Sequence, residues 1–144
     1  KWPNDIYVGD KKIAGILIEN NIRKNEIYSS IIGVGFNVNQ LSFINPRATS
    51  LAIETNQEHF KEELLVSFLE NFEHYLFRKE DKQALQDLYY QNMYRLKVFA
   101  KYKDEKGVFV GEIVGLDNFG ALQVINGNEV KTYSFKEIEY LFPE

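Results

Sequence analysis

Gly9 and Asp10 separate a short apolar run, Ile6-Tyr7-Val8, from a longer one that begins at Lys11 and extends through Ile18. Apolar runs divided by two such residues form a β-hairpin, and glycine at the first loop position permits a type II′ turn. In a regular second strand the side chains alternate between two faces, which places Lys12 with Ala14, Ile16 and Ile18. A lysine on an apolar face either reaches water along its stem or meets an anion. For a lone lysine the first is the ordinary outcome.

A polar loop, Asn20 to Asn25, leads into a long strand from Glu26 to Val38. One face carries Tyr28, Ser30, Ile32, Val34, Phe36 and Val38; the other carries Ser29, Ile31, Gly33, Gly35, Asn37 and Asn39. Glycines inside a strand sacrifice packing and mark a bulge or the close approach of another group. Taken alone, Gly33 and Gly35 indicate a neighbouring element packed on bare backbone. Beside the opening run they indicate a smooth ligand floor with an amide, Asn37, at its end.

Arg47 to Glu54 reads as a short helix with Thr49 or Ser50 near its start, and Asn56 as the N-cap of a helix running through His59 to about Arg78. Phe60, Leu64, Leu65, Phe68, Phe72, Tyr75 and Leu76 recur at the helical period there. A second helix is predicted from about Glu80 to Met93, both helices covering one sheet face. The character changes near Leu96. Val98–Tyr102, Val108–Val114, Ala121–Ile125 and Val130–Phe135 read as strands, separated by turn residues such as Asp117-Asn118-Phe119-Gly120 and Asn126-Gly127. That pattern predicts a small SH3-like barrel or an open sheet. The fold class is therefore α+β, a mostly antiparallel sheet with helices over residues 1–95 and a β-module over residues 96–144.

Composition removes several classes of function. A net charge of −4 supplies no basic field for nucleic acid or an anionic membrane. No cysteine is present, so disulfides, thiolate catalysis and cysteine metal sites are excluded. No apolar run approaches the roughly 20 residues of a membrane helix, and a cytoplasmic location follows by elimination. The chain opens inside a motif, without methionine or leader, and reads as a fragment. His59 with Glu63 and His74 with Glu70 could each touch a metal, but on a helix rising about 1.5 Å per residue the pairs lie about 10 Å apart, too far to share one ion, and they read as helix-surface salt bridges.

The opening string KWPNDIYVGDKKIAGILIE, with KWPND followed by K-x-x-G-I-L-x-E, resembles the biotin protein ligase family. The family's G-x-G-x-N element is matched by Gly33-Val34-Gly35-Phe36-Asn37. The resemblance runs from Lys1 to the C-terminus, the last third matching in pattern more than in residues. It implies two reactions: biotin and ATP give biotinyl-5′-adenylate and pyrophosphate, and the acyl group then passes to a lysine of the biotin carboxyl carrier protein of acetyl-CoA carboxylase. Joining a carboxylate to an α-phosphate brings two anions together and calls for fixed positive charge or a metal.

The resemblance places the family's essential lysine at Lys12, with Lys11 solvated on the opposite face. It implies that Asn4 and Asn37 meet the adenine edge. Asp5 suits Mg²⁺ or a ribose hydroxyl, Gly15 lets the ligand approach the second strand, and Gly33 and Gly35 form the floor. Trp2 reads as buried. The family's Gly- and Arg-rich loop over the adenylate, and much of the biotin pocket, should lie upstream of Lys1, so the fragment alone is expected to be inactive. Alternatives are a lipoate or octanoate ligase-transferase and a non-catalytic module that docks a carrier protein. Some family members dimerise through strand edges. DNA binding is not expected, because the family's repressors use an N-terminal helix-turn-helix that this chain does not show.

Overall fold

The computed structural model describes residues 1–77 and 82–143 and resolves into two compact units. The first, Asn4–Asp81, is built on an antiparallel sheet of three strands, β1 (Asp5–Val8), β2 (Lys11–Arg23) and β3 (Glu26–Phe36), in that order. Gly9 takes φ +54° and Asp10 does not share the positive sign, the φ pattern of the expected type II′ turn. The second hairpin is tighter than the sequence suggests. Lys24 and Asn25 both take positive φ (51° and 64°), so β2 continues through the polar stretch to Arg23. Cross-strand bonds hold that stretch: Ser30 Oγ donates to Asn20 Oδ1 at 2.6 Å and Asn21 Nδ2 donates to Ser29 Oγ at 3.0 Å.

The pairing of β1 with β2 is irregular. Ile6 lies opposite Ala14 but Tyr7 lies opposite Lys12, so Ile13 is an extra residue and β2 is bulged there. Ile13 and Ala14, neighbours in sequence, are consequently both buried. From Ala14 onward the ladder with β3 is regular as far as Asn21, with Gly15 opposite Gly35 and Leu17 opposite Gly33.

Helix α1 (Leu51–Thr55) starts where expected, with Ser50 Oγ accepting from Ile53 N at 3.2 Å. Asn56, predicted to start the following helix, instead ends this one in the left-handed conformation (φ 55°). Helix α2 (Lys61–Phe77) begins five residues later, and Arg78 and Glu80 lie outside the described residues. No residue of α2 is buried; Leu65 is 57% and Phe68 44% exposed. The apolar stripe exists, but among the described residues it covers no sheet face. Periodicity reports which side chains share a face, not what they meet. His59 precedes α2, and its ring lies 2.7 Å from Thr55 Oγ1, while His74 packs edge-on to Tyr75. Among the described residues neither histidine pairs with its glutamate.

The second unit comprises Lys82–Glu144 together with Lys1–Pro3. Helix α3 (Lys82–Gln91) precedes five strands, β4 (Phe99–Asp104), β5 (Gly107–Leu116), β6 (Leu122–Asn126), β7 (Glu129–Tyr133) and β8 (Glu139–Tyr140). They pair in the order β7-β6-β5-β4-β8, with β7 and β8 as edges, so of the two predicted forms the ladder among the described residues is the open sheet. Its core gathers Met93, Tyr102, Ile113, Leu122, Val124, Tyr133, Ile138 and Tyr140 around Trp2. Trp2 is buried, as expected, and its indole Nε1 donates to Gly120 O at 2.9 Å.

Candidate active site

One depression of about 400 Å³, within the range of small-molecule sites, lies on the first sheet and is lined by Asn4, Asp5, Lys12, Gly15, Ile16, Leu17, Gly33, Val34 and Gly35. Six of the seven residues expected from sequence are therefore brought together. Ile16, Leu17 and Val34 were not anticipated, because aliphatic residues in a strand carry no signal beyond packing.

The bulge decides the lysine's position. A regular strand would set Lys12 beside Ala14, Ile16 and Ile18. With Ile13 as the extra residue, Lys12 shares instead the face of Gly15, opposite Tyr7 and next to Asp5. Its Nζ lies 2.6 Å from Asp5 Oδ1, with the lysine side chain 43% and the aspartate side chain 19% exposed. The ammonium passes directly over Gly15: a Cβ there would stand 3.1 Å from Lys12 Nζ and 3.5 Å from Asp5 Oδ1. Gly15 is small because the ion pair occupies the space a side chain would take. Lys11 is exposed, as expected.

Gly33 and Gly35 answer a different need. Neither has positive φ, so the backbone does not require glycine at either position. A Cβ at Gly35 would meet only Gly15 O at 4.0 Å, and one at Gly33 only Leu17 O at 3.9 Å and Leu17 Cβ at 4.0 Å. The described residues leave this surface bare.

The two asparagines are fixed by backbone carbonyls. Asn4 Nδ2 donates to Ile16 O at 2.6 Å, while Ile16 N donates to Asn4 O at 2.8 Å. Asn37 Nδ2 donates to Thr49 O at 3.0 Å, and this residue, alone of the seven, does not line the depression. Thr49 and Ser50, behind Lys12 in the hydrogen-bond network, are fully buried; in the sequence their residue types signal only a helix start.

A second hollow of similar volume, on the β4–β8 unit, is lined by Lys103, Asp104, Glu105, Lys131, Tyr133, Lys136, Glu137 and Glu139. Its central carboxylate is already satisfied: Asp104 accepts from Lys131 Nζ (2.7 Å), Tyr133 OH (3.0 Å) and Lys106 N (2.8 Å). The hydrogen bond from Lys131 holds Asp104 at about 2, well below its ordinary 3.8. This is a structural network. Among the described residues no helix is long and apolar enough to cross a membrane.

The chain is similar to known proteins over most of its length. The family model for the biotin/lipoate A/B protein ligase family matches residues 1–37, the span of the three strands and Asn37. Biotin–protein ligase 1, chloroplastic, of Arabidopsis thaliana is 32% identical over 142 residues, covering 92% of this chain and 38% of the relative. A bifunctional ligase/repressor of Bacillus spizizenii is 28% identical, covering 96% of this chain and 45% of its own length. The biotin protein ligase of Aquifex aeolicus, solved without ligand, superimposes with a TM-score of 0.73 at 28% identity, over 96% of this chain and 62% of that one. The same enzyme in complex with biotin and ATP gives 0.72 at 29% identity, over 96% of this chain and 59% of that one. The chain thus spans about two fifths of the length of the curated relatives it matches. With the motif residues gathered on one sheet face, residues 1–37 match the biotin/lipoate A/B protein ligase family, and nearly the whole chain is similar to biotin protein ligases.

Proposed function

We propose that the whole protein activates biotin with ATP and transfers it to a lysine of a biotin-carrier domain, that of acetyl-CoA carboxylase. The observation that carries this reading is the placement of the Lys12–Asp5 pair, over Gly15, beside the bare floor of Gly33 and Gly35. A relative of Aquifex aeolicus has been solved with biotin and ATP together, which supports the same substrates here.

In the first step a biotin carboxylate oxygen attacks the α-phosphorus of ATP, forming the mixed anhydride and expelling pyrophosphate. The ammonium of Lys12 offsets the charge of carboxylate and phosphate as they approach, a fixed charge worth more in the transition state than in water. In the second step the carrier lysine amine attacks the acyl carbon and AMP leaves, with Lys12 stabilising the oxyanion. Asn4 and Asn37 each spend one N–H on a backbone carbonyl, which leaves each an Oδ1 acceptor and a second N–H for the adenine edge. Mg²⁺ fits Asp5 as a metal carried in by the nucleotide. Among the described residues no three His, Cys, Asp or Glu gather into a cage, and Mg²⁺ needs only one or two carboxylates beside the phosphates. When bound, it would add charge neutralisation at the phosphates.

In this reading residues 1–95 end the catalytic domain and residues 96–144 form a C-terminal β-module. The edge strands β1 and β3 suit pairing with a second copy, and the protein works in the cytoplasm, where ATP and carrier are at hand. The test is ATP–pyrophosphate exchange by the whole protein, with biotin and lipoate as competing acids. Exchange with biotin alone, reduced at least about a hundredfold by Lys12→Ala, is the expected result. Exchange with lipoate instead would keep the mechanism and overturn the substrate. No exchange with either would favour a carrier-docking module.

A further inference from the structure

The main chain of Lys12 is held by something other than the three-stranded sheet. β3 ends at Phe36, opposite Ala14, and Asn37 N donates to Ile13 O at 2.9 Å. One residue further along β2 the neighbour is a different segment. Lys12 N donates to Arg47 O at 2.7 Å, and Thr49 N donates to Lys12 O at 2.9 Å, a parallel bridge centred on Ala48.

That segment is fastened through Thr49. The residue is fully buried, and each of its polar groups is used: N on Lys12 O, O accepting from Asn37 Nδ2 at 3.0 Å, and Oγ1 donating to Glu54 Oε1 at 2.5 Å. The next residue, Ser50, is equally buried; its hydroxyl donates to Gln40 O at 2.6 Å and caps α1. A buried polar cluster with every member satisfied specifies one arrangement. Here the arrangement matters, because a one-residue slip at the bulge would return Lys12 to the face of Ala14 and Ile16, away from Asp5 and the glycine floor.

We propose that Thr49 is a positioning residue for Lys12, its hydroxyl bond to Glu54 securing the bridge that keeps β2 in the bulged register. The assignment rests on the reading of Lys12 as the catalytic lysine. The alternative is that the cluster only closes a loop, in which case its loss lowers stability without changing turnover per folded molecule.

The experiment is biotin-dependent ATP–pyrophosphate exchange by the whole protein, normalised to folded enzyme, with kcat and KM measured separately. Thr49→Val keeps the shape and removes the hydroxyl; kcat should fall at least about tenfold while KM for biotin and ATP stays within about threefold. Thr49→Ser restores the hydroxyl and should restore kcat. Glu54→Ala, at the exposed end of the same bond, should reproduce the loss and serves where Thr49→Val fails to fold, whereas Glu54→Gln keeps an acceptor and should be active. Turnover of Thr49→Val, or of Glu54→Ala in its place, within about twofold of wild type overturns the assignment. So does an equal loss in Thr49→Ser, or a change confined to KM. Absence of exchange in the wild-type protein overturns the underlying reading and this assignment with it; wild-type exchange beside indifferent variants overturns this assignment alone.

Discussion

Gly35 allows the folding and ligand accounts of the β2–β3 face to be set against each other, because they predict opposite signs. Its φ is ordinary, and an added Cβ would have Gly15 O at 4.0 Å as its sole near neighbour. Folding considerations therefore favour replacement. Gly→Ala at a compatible position stabilises by about 0.4–1 kcal/mol by reducing unfolded-state freedom, and valine adds a strand preference of similar order. Ligand considerations oppose it. The new methyl groups would stand in the space assigned to the ligand, and overpacking of that kind costs about 1–3 kcal/mol, roughly 5- to 150-fold in affinity. Gly35→Val should thus unfold at the same or a slightly higher temperature without ligand while binding biotin and ATP at least about fivefold more weakly. Thermal unfolding and titration calorimetry on one preparation give both numbers. Gly9→Ala is the opposite control, since Gly9 holds φ +54° in a turn away from the depression: stability should fall and binding should not. A Gly35→Val protein that binds as wild type, or that loses stability, would refute the ligand floor in favour of a protein element packed on that face.

Asp104→Asn tests the network on the second sheet. Because the folded carboxyl is held at about 2 against an ordinary 3.8, its contribution is complete above the higher value and is lost as pH falls through the lower one. The melting-temperature gap between wild type and variant should be present at neutral pH and close as pH falls from 3.8 to about 2; a gap independent of pH would refute the charge account. Trp2→Phe keeps an aromatic ring in the core and removes the bond to Gly120 O, so denaturant unfolding should show a loss of about 1 kcal/mol, and no loss would mean the indole N–H contributes nothing net. Gly15→Ala places a methyl 3.1 Å from Lys12 Nζ and should displace the ammonium from Asp5, lowering kcat for pyrophosphate exchange several-fold with little change in melting temperature; unchanged kcat would show the ion pair yields at no cost. Residues 1–144 tested alone should show no exchange, and turnover would show that they hold a complete site.

Much of this arrangement is legible in the linear chain because it depends on local rules. The Gly9-Asp10 turn, the period-two alternation that sets Gly33 and Gly35 on one face, the Ser50 cap and the turn residues between the later strands all act over a few positions. The resemblance carried by the opening string likewise singles out Lys12 and Asn4, and carboxylate chemistry singles out Asp5. Three features were not legible. Asn56 suits a helix start or a helix end equally, and only its left-handed φ decides. Asn20 and Asn21 have loop composition, yet they form strand because Ser29 and Ser30 lie opposite them. The third is the one that governs the site. Alternation assigns Lys12 to the apolar face, and tertiary structure moves it to the other by inserting Ile13 into the ladder. The reason is long-range: the hydrogen-bonding groups of Lys12 find their partners at Arg47 and Thr49, on a segment that no local pattern in β2 can anticipate. The local code supplied a lysine, an aspartate and a glycine floor; the bridge from a distant loop put them on the same side of the sheet.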